Sequence, residues 1–574
     1  MTDVDMTDVD MKGVDPKGRM FSWPFSGNGL GGVGVGGQPV SEAVPTPGPA
    51  ELLVRVDAVT LCASDGKMLR LGTDYPLLRG RDLQAQPTRL GHEVALTVVA
   101  VGQQRRGQYR VGQRLGLQPD VFVGGERRCF GVTLPGGLTQ YLVLGSDVLE
   151  GDDGPYIFSV GGLDPDGRLS LADVAVTEPW ACVEMAYQPK RRLQPLAGGR
   201  LWIHGDSAAT GFVLPPFPGS EMTLSGSAQD YAEALSAQGH RIQRNELADI
   251  LNGSQTFDDI LLLDPADDLP ERALPLLSRG GLLNLSVSAD NTRRYETQVD
   301  ASRLHYEPIS LVGQAGPEVG AAYGEHRSDL RPGGSLLIHG AGGAMGRMHL
   351  ERALSLPHPP GTIVATNRGA ARLSELNLSF AAWAAARGVR LKLISPVQHP
   401  GFLEEEARRL GGFDDVVVNI PSLSEMQYAA NFLRQDGLLA LFAGIPEGQR
   451  LRLPLGNVAH FRAEFTGTSG SSLADQRRVI QKTLSGELDA SSVIAAVCGL
   501  RAAREGLAAV MDGRYTGKIV VYPPLLDLPL LGLEELATVA PGVYAGLNAG
   551  RWTKAAEDAL FAQFAQPVPT EAQP

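Results

Sequence analysis

The same buried-strand pattern occurs twice in the chain, and this repeat is the strongest constraint on its fold. "FDDILLLDP" begins at Phe257 and "FDDVVVNIP" begins at Phe413, an offset of 413 − 257 = 156 residues. The glycines of "RGGLLNL" (Gly281) and "RQDGLLAL" (Gly437) are also 437 − 281 = 156 residues apart. Matches in the same order with nearly constant spacing indicate tandem copies of one βαβ-type unit. The alternative is a chance resemblance, because all parallel strands are rich in Val, Ile and Leu.

The two copies differ in the Gly-containing loop that follows their first strand. The second copy contains "LLIHGAGGAMG", whereas the first contains "IHGDSAATGFVLPPFPG". In the first copy, Gly205 and Gly211 are too far apart for a dinucleotide fingerprint, and prolines stand where a helix should run. We therefore predict that the first copy is a degenerate Rossmann-like unit with a structural or interface role. The alternative is that it binds another nucleotide.

Around these copies the pattern is different. "ELLVRVDAVTLC" alternates apolar and polar residues, and short strand patterns such as "EVALTVVAVG" follow, which favours a small β-barrel or sandwich. The C-terminal "LGLEELATVAPGVYAGLNAGRW" region has apolar residues at helical spacing. The predicted organisation is a loose tail (1–20), a β-rich domain (21–195), a degenerate Rossmann-like unit (196–318), a Rossmann unit (319–500), a return segment (501–522) and a helical extension (523–574).

Composition excludes several classes of function. A formal charge of -13 argues against a general binder of nucleic acid, whose affinity depends on clustered Lys and Arg. No apolar run is long enough to span a bilayer, so no membrane partner is predicted. The chain of 574 residues has four cysteines, too few for a disulfide framework, which predicts a cytoplasmic location.

Three segments of the β-rich domain, taken together, have the residue types of a zinc site. "LCASD" contains Cys62, "LGHEV" contains His92 and Glu93, and "TEPWACV" contains Glu178. Catalytic zinc takes three protein ligands of Cys, His or carboxylate type and leaves a fourth position open. Each segment alone also fits a buried thiol or a simple turn.

The order of these segments resembles the zinc-dependent medium-chain dehydrogenases. "LGTDYPLLRGRDLQAQPTRLGHE", "EPWACVEMAY" and "NVAHFRAEFTGTSGSS" are most similar to their L-sorbose-1-phosphate reductase branch. The resemblance implies an α/β plus β fold, with a GroES-like β-barrel catalytic domain before the Rossmann-like units. It also implies one catalytic zinc bound by Cys62, His92 and Glu178, with Glu93 beside the metal and Ser64 relaying the substrate proton.

The family's second, structural zinc needs four closely spaced cysteines. Only Cys129 lies in the corresponding lobe, so no structural zinc is predicted. Cys182 follows Glu178 by about one helical turn, and we interpret it as a packed thiol rather than a ligand.

The second copy carries the predicted cofactor site. A Gly-rich turn between a strand and a helix brings backbone close to a pyrophosphate, which the helix N-terminus stabilises. Gly343 and Gly346 fit the last two glycines of the fingerprint, but Ala341 stands where the first is usual. The predicted cofactor-binding residues are Gly340, Gly342, Gly343, Met345, Gly346, Asn367, Arg368 and Gly444.

The residues after the next strand bear on the choice of cofactor. Asn367 and Arg368 follow "GTIVAT", where an Asp or Glu would receive the ribose hydroxyls of NAD. A guanidinium in place of a carboxylate favours a 2'-phosphate, so NADP(H) is preferred over NAD(H). The alternative is a surface Asn-Arg pair without a role.

The predicted function is hydride transfer between NADP(H) or NAD(H) and a polyol or ketose. The predicted substrate is a sugar phosphate such as L-sorbose 1-phosphate. A homo-oligomer is predicted, with no partner beyond the small substrate. Two other functions stay open: a zinc-free reductase of the quinone-reductase kind, and a non-enzymatic scaffold or ligand sensor. The candidate cations for a substrate phosphate are Lys67, Arg70, Arg79 and Arg81.

Overall fold

The chain folds into two compact units. The computed structural model describes residues 18–188, 192–206, 211–467 and 470–565. One unit combines the N-terminal residues 1–184 with the C-terminal residues 470–574, and the other contains residues 185–469. Most of the predicted tail at 1–20 lies outside the described residues. Among the described residues, no helix is long and apolar enough to cross a membrane.

The first unit is built on an eight-stranded, mainly antiparallel sheet that contains strands from both ends of the chain. Its N-terminal part comprises β1 (Arg19–Ser22), β2 (Pro24–Phe25), β3 (Val40–Ala43), β4 (Leu52–Leu61), α1 (Ala63–Leu71), β5 (Thr88–Arg89), β6 (Glu93–Val101), β7 (Arg114–Leu117), β8 (Asp120–Val123), β9 (Glu126–Cys129), β10 (Tyr141–Leu144), α2 (Ser146–Leu149), β11 (Ile157–Ser159), α3 (Leu171–Ala175) and α4 (Thr177–Met185).

The second unit contains the two Rossmann-like copies. The first copy comprises β12 (Arg200–Gly205), β13 (Glu221–Gly226), α5 (Ala232–Ala237), β14 (Arg241–Arg244), α6 (Leu247–Asn252), β15 (Phe257–Leu263), α7 (Leu269–Ala273), β16 (Leu277–Val287), β17 (Glu296–Asp300), α8 (Ala301–Tyr306) and β18 (Ser310–Ala315). The second copy comprises β19 (Ser335–His339), α9 (Ala344–Ser355), β20 (Thr362–Thr366), α10 (Ala370–Ala386), β21 (Arg390–Ile394), α11 (Phe402–Leu410), β22 (Phe413–Val418), α12 (Leu423–Ala430), β23 (Leu433–Leu441), β24 (Arg450–Pro454), α13 (Gly456–Phe461) and β25 (Glu464–Gly467).

The chain then returns to the first unit. Its C-terminal part comprises α14 (Leu473–Ser485), β26 (Ile494–Gly499), α15 (Ala503–Asp512), β27 (Lys518–Tyr522), β28 (Leu531–Gly532), α16 (Leu536–Val539), α17 (Pro541–Ala545) and α18 (Lys554–Phe564). The return begins at Gly470, before the boundary predicted at residue 500. β26 pairs with β27 and therefore belongs to the sheet of the first unit.

In that sheet the strand order is β11-β7-β6-β4-β27-β26-β28, and β10 also pairs with β4. β4 is buried along almost its whole length because it pairs with β6 on one side and with β27 on the other. The predicted β-rich domain is therefore confirmed. Its central strand, β4, pairs with β6 from the N-terminal part of the chain and with β27 from the C-terminal part.

The two Rossmann-like copies have the same strand order. The first sheet runs β14-β13-β12-β15-β16-β18 and the second runs β21-β20-β19-β22-β23-β25, and all neighbours are parallel. The repeated "FDD" segments are the fourth strand in each copy along the chain, β15 and β22. The predicted duplication is confirmed as two doubly wound sheets.

The copies differ where the sequence predicts that they should. In the second copy, α9 connects β19 to β20. In the first copy, no helix occurs between β12 and β13 within residues 206 and 211–220, the described part of that connection. Prolines in this stretch fix φ and remove amide donors, which prevents a regular helix. Within its described part, this connection therefore presents no helix N-terminus to a ligand.

The predicted C-terminal helical extension is confirmed, and Glu557 ties its last helix to the rest of the first unit. The Glu557 carboxylate accepts hydrogen bonds from the amides of Leu171 (2.5 Å) and Ala172 (3.0 Å) at the start of α3. It also accepts a hydrogen bond from the Tyr522 hydroxyl at 2.8 Å. Burial raises the pKa of Glu557 to about 7 although these donors oppose the shift. The extension thus holds the start of the α3–α4 segment, which contains Glu178.

Replacing Glu557 with Leu should destabilise the protein by about 1–3 kcal/mol, because buried donors lose their acceptor. The midpoint of urea unfolding measures this change. The control is Asp558→Ala on the same helix, where the side chain is 64% exposed in an ion pair with Lys554 and the expected change is below about 0.5 kcal/mol. Equal midpoints for the two variants would contradict the anchoring role.

Candidate metal centre and cofactor turn

Two predicted zinc ligands, Cys62 and His92, lie together with Glu93, the carboxylate predicted beside the metal, in the first unit. The Cys62 sulfur, a ring nitrogen of His92 and a carboxylate oxygen of Glu93 are all within 4.8 Å of one another. They meet because β4 and β6 are paired, with Thr60 opposite Glu93. Cys62 follows β4 as the N-cap residue of α1, and His92 directly precedes β6. Two adjacent strand ends therefore bring all three donors to one place.

Asp65 holds His92 in position and was not identified from the sequence. It is 2% exposed and accepts hydrogen bonds from the amides of Cys62 (2.9 Å) and Gly91 (3.3 Å). Its carboxylate lies 3.6 Å from Nδ1 of His92. A carboxylate at Nδ1 favours the proton on that nitrogen and leaves Nε2 as the electron-pair donor. The available signal was the Cys-x-x-Asp capping pattern at the start of α1.

The charged groups of the cluster stabilise one another. Burial opposes the charged form of Asp65, but His92, Cys62 and Gly91 outweigh this effect and lower the pKa of Asp65. Burial also opposes a charged His92, whereas the hydrogen bonds with Asp65 and Cys62 raise the pKa of His92 well above its usual range. Thiol, imidazole and carboxylate donors of this kind match the ligand types of zinc.

Glu93 is anchored by a buried lysine that the sequence analysis also missed. Lys518 is 2% exposed, and its Nζ lies 2.5 Å from Oε1 of Glu93. The Thr60 hydroxyl donates to the other oxygen, Oε2. Burial opposes the charged form of Lys518, but Cys62 and Glu93 outweigh it and raise its pKa. The signal was a lysine at the start of an otherwise apolar strand, "KIVVY".

Ser64 and Glu178 also lie near this cluster. The Ser64 hydroxyl is 3.4 Å from Nε2 of His92. Glu178, on α4, is outside the set of mutually close donors, and its Oε1 accepts a hydrogen bond from the Cys182 thiol at 3.4 Å. Burial and the neighbouring charge of Glu93 raise the pKa of Glu178 to about 7. Of the three predicted zinc ligands, the structure thus groups Cys62 and His92 closely and adds Glu93.

The four candidate cations for a substrate phosphate differ in their surroundings. Arg81 donates to the carbonyls of Gln86 (3.1 Å) and Thr133 (2.9 Å), which indicates a structural role. Arg70 and Arg79 are exposed. Lys67 is half-buried on α1, and burial together with Arg70 lowers its pKa. Lys67 is three residues after Ser64, so the two share one face of the helix.

In the second unit, the predicted cofactor turn joins β19 to α9. Gly340 has φ +89°, and a Cβ there would lie 2.6 Å from Cγ1 of Ile420. A Cβ on Gly346 would lie 2.4 Å from the Gly340 carbonyl oxygen. Gly340 therefore makes the sharp turn and Gly346 permits close helix packing. Ala341 is buried with its amide donating to Thr366, so this position does not need glycine.

The open side of this turn is at Gly343. It is the N-cap residue of α9, and no described atom lies within 4 Å of a Cβ built there. Met345 is half-buried in the first turn of the helix. A Cβ on Gly342 would lie 2.4 Å from Oδ1 of Asn367, so the Asn367 side chain closes one side of the turn. Arg368 is exposed beside it.

Gly444 follows β23 and borders the first copy. A Cβ on Gly444 would lie 2.2 Å from the Tyr306 hydroxyl and 2.9 Å from Nε2 of His305. Both side chains belong to α8 of the first copy. The predicted cofactor loop of one copy is thus lined by the other.

Replacing Asp65 with Ala should weaken zinc binding by about 10- to 100-fold, because His92 loses the group that orients it. Competition with a chromogenic chelator measures the affinity. Asp74→Ala, an exposed position in the turn after α1, is the matched control and should leave the affinity unchanged. Unchanged zinc affinity in the Asp65 variant would contradict the orienting role.

The chain resembles known dehydrogenases over part of its length. Residues 48–150 match the family model of the alcohol dehydrogenase GroES-like domain. Mannitol-1-phosphate 5-dehydrogenase from Aliivibrio fischeri is 30% identical over 225 residues, 38% of this chain and 52% of the relative. L-sorbose 1-phosphate reductase from Klebsiella pneumoniae is 28% identical over 248 residues, 41% of this chain and 57% of the relative. These matches span between half and three fifths of the relatives.

A solved structure extends the likeness of fold. AibC superimposes with a TM-score of 0.50 at 15% identity and covers 89% of this chain and 97% of AibC. At this identity the likeness concerns the fold alone. Together with the sequence matches it confirms the resemblance that the motifs predicted.

Proposed function

We propose that this chain, which belongs to the zinc-type medium-chain alcohol dehydrogenase family, is an NADP(H)-dependent oxidoreductase that interconverts a ketose phosphate and a hexitol phosphate. The observation that carries the proposal is the group of Cys62, His92 and Glu93 donors within 4.8 Å of one another, with Asp65 behind the imidazole. The sugar-phosphate class is supported by the names of the two relatives, mannitol-1-phosphate 5-dehydrogenase and L-sorbose 1-phosphate reductase.

In this proposal Cys62, His92 and Glu178 hold the zinc ion. Both oxygens of Glu93 are already engaged, one by Lys518 and the other by Thr60. Glu178 accepts only the weak thiol donor of Cys182 among the described hydrogen bonds. A carboxylate with a weak partner exchanges it for a metal at little cost, whereas Glu93 would have to leave a buried ion pair. Glu93 therefore acts as the anchored carboxylate beside the metal.

The chain's own residues then share the catalytic work. When bound, zinc supplies Lewis acidity to the substrate oxygen and the nicotinamide supplies or accepts the hydride. Ser64, whose hydroxyl is 3.4 Å from Nε2 of His92, is the proposed relay of the substrate hydroxyl proton toward solvent. Asp65 keeps the imidazole in one orientation throughout. Lys67, on the same helix face as Ser64, is the proposed partner of the substrate phosphate.

The preference for NADP(H) rests on the end of β20. Asn367 and Arg368 stand there, so no carboxylate follows the strand directly to receive an unmodified ribose. The Asn367 amide is fixed by its donation to the Gly369 carbonyl at 3.0 Å. Arg368 is exposed next to it, and a guanidinium matches a 2'-phosphate in charge and geometry.

Removing the Arg368 guanidinium tests this preference. Arg368→Ala should raise the KM for NADPH by about 10- to 100-fold, the value of one or two charge-assisted hydrogen bonds. The KM for NADH should change little. Arg241→Ala, where the side chain is 89% exposed, removes an equivalent charge from the first copy and is the control. Equal changes for both cofactors would contradict the assignment.

The activity itself is tested by NADPH oxidation with L-sorbose 1-phosphate and, in parallel, with sorbose, before and after removal of zinc by a chelator. The proposal expects turnover of the phosphate ester, loss with the chelator and recovery with added zinc. Glu178→Gln should lower both zinc content and turnover by about 100-fold or more, because it removes a ligand charge.

Cys182→Ala is the matched control, since it removes the neighbour of Glu178 and leaves the carboxylate in place. It should retain zinc and activity within a few-fold. Full zinc content in Glu178→Gln would show that the ligand set is wrong. Turnover that is insensitive to zinc removal would show that the proposed chemistry is wrong.

A further inference from the structure

The two Rossmann-like copies are joined by a pair of strands, one from each copy, that occupy equivalent positions in the repeat. β17 of the first copy runs antiparallel to β24 of the second, and at the centre of this ladder Gln298 pairs with Arg452. These two residues are as far apart in the sequence as Gly313 and Gly467, which occupy equivalent places in β18 and β25. Gln298 and Arg452 are therefore equivalent residues of the two copies. When a residue pairs with its own equivalent, a local two-fold axis passes between the two.

The hydrogen bonds beside this ladder are reciprocal. The Leu455 amide donates to the Tyr295 carbonyl at 3.0 Å, and the Ala301 amide donates to the Gln449 carbonyl at 3.0 Å. The two donors have the same separation in the sequence as Gln298 and Arg452, and so do the two acceptors. Each bond is therefore the counterpart of the other.

The packing beside the ladder is reciprocal as well. A Cβ on Gly313 would lie 3.0 Å from Cα of Ala459, and a Cβ on Gly467 would lie 2.9 Å from Cα of His305. His305 and Ala459 again have this separation in the sequence and are therefore equivalent. The second copy's α13 thus packs on β18, and the first copy's α8 packs on β25. Glycine at both positions permits this close approach on each side.

We propose that the first Rossmann-like copy is a built-in substitute for a second subunit. In a two-fold homodimer interface, every contact occurs twice. If one residue of the first subunit contacts another in the second, the same two residues also contact each other with the subunits exchanged. Here both halves of that interface are in one chain, and buried residues of both copies form one shared apolar cluster. The face made by β24 and α13 is therefore covered within the chain and does not bind another copy.

The substitute also contributes to the neighbouring site, a point that rests on the proposed function. Tyr306 and His305 of α8 line the space beside Gly444, the predicted cofactor residue after β23. The first copy has no helix N-terminus in the described part of its own β12–β13 connection. It still contributes to cofactor binding if it lines the predicted site of the second copy. This gives the duplication a role that does not require the first copy to bind a nucleotide.

A cysteine pair across the ladder tests the first part of the proposal in the full chain. Gln298→Cys with Arg452→Cys places two thiols on paired residues of the more exposed face of β17 and β24. Mild oxidation should form a disulfide within one chain at every protein concentration, seen as a single-chain mass on non-reducing gels and as a linked peptide in mass spectrometry. Gln298→Cys alone is the control.

A disulfide that links two chains, or thiols that stay free, would overturn the proposal. The masses of the native protein and of the disulfide-linked double variant, called the locked protein, are then compared by sedimentation over a range of protein concentrations. If both proteins sediment with the mass of one chain, 60.9 kDa, the result supports the proposal. Dimers that persist in the locked protein use another face and also support it. A native dimer that the lock abolishes would overturn it.

The second part is tested by NADPH binding. Tyr306→Ala should weaken the affinity by about tenfold, because the loop at Gly444 loses its neighbour. Phe461→Ala is the matched control, since Phe461 ends α13 as Tyr306 ends α8 and its side chain is 42% exposed. Equal affinities would overturn the contribution to the site. If NADPH fails to bind the native protein, the proposed function fails while the disulfide result stands.

Discussion

The buried ion pair between Glu93 and Lys518 is the interaction on which the first unit depends. Each charge is almost fully buried, and an isolated charge in that position would cost several kcal/mol. The pair joins β6, from the N-terminal part, to β27, from the C-terminal part, across the end of β4. The chain must therefore return from the second unit before Glu93 gains its partner. The same pair fixes the carboxylate that lies beside Cys62 and His92.

In the second unit, one architecture serves two purposes. Both copies have the same six-stranded order, but only the second places a helix directly after its first strand in the described residues. Binding a pyrophosphate depends on that helix N-terminus and on glycines that let the backbone approach. Packing against the second copy depends instead on β17 and α8, both of which are formed. In the described residues, the first copy therefore has this contact face but no helix between β12 and β13.

Much of the fold and part of the site were predictable from local patterns. The repeated "FDD" strands, the β-rich start and the turn at Gly343 and Gly346 follow from periodicity and glycine spacing. Cys62, His92 and Glu93 were identified from motifs, and the structure brings them together. Asp65 was missed although its capping position was visible, because its role depends on contact with His92. Lys518 was missed because its partner is more than four hundred residues away in sequence, and β26 was assigned to the wrong sheet for a similar reason.

The sequence by itself determined the strands, the duplication and the residue types available for chemistry, since hydrophobic period, glycine and proline act over a few residues. Only the tertiary structure decided which donors meet, which carboxylate is already paired and which face of each copy is covered. These depend on burial and on contacts between distant segments, and the free energy of a buried charge is set by its final neighbours. For that reason Glu93 is anchored by Lys518, whereas Glu178 accepts the weak thiol donor of Cys182.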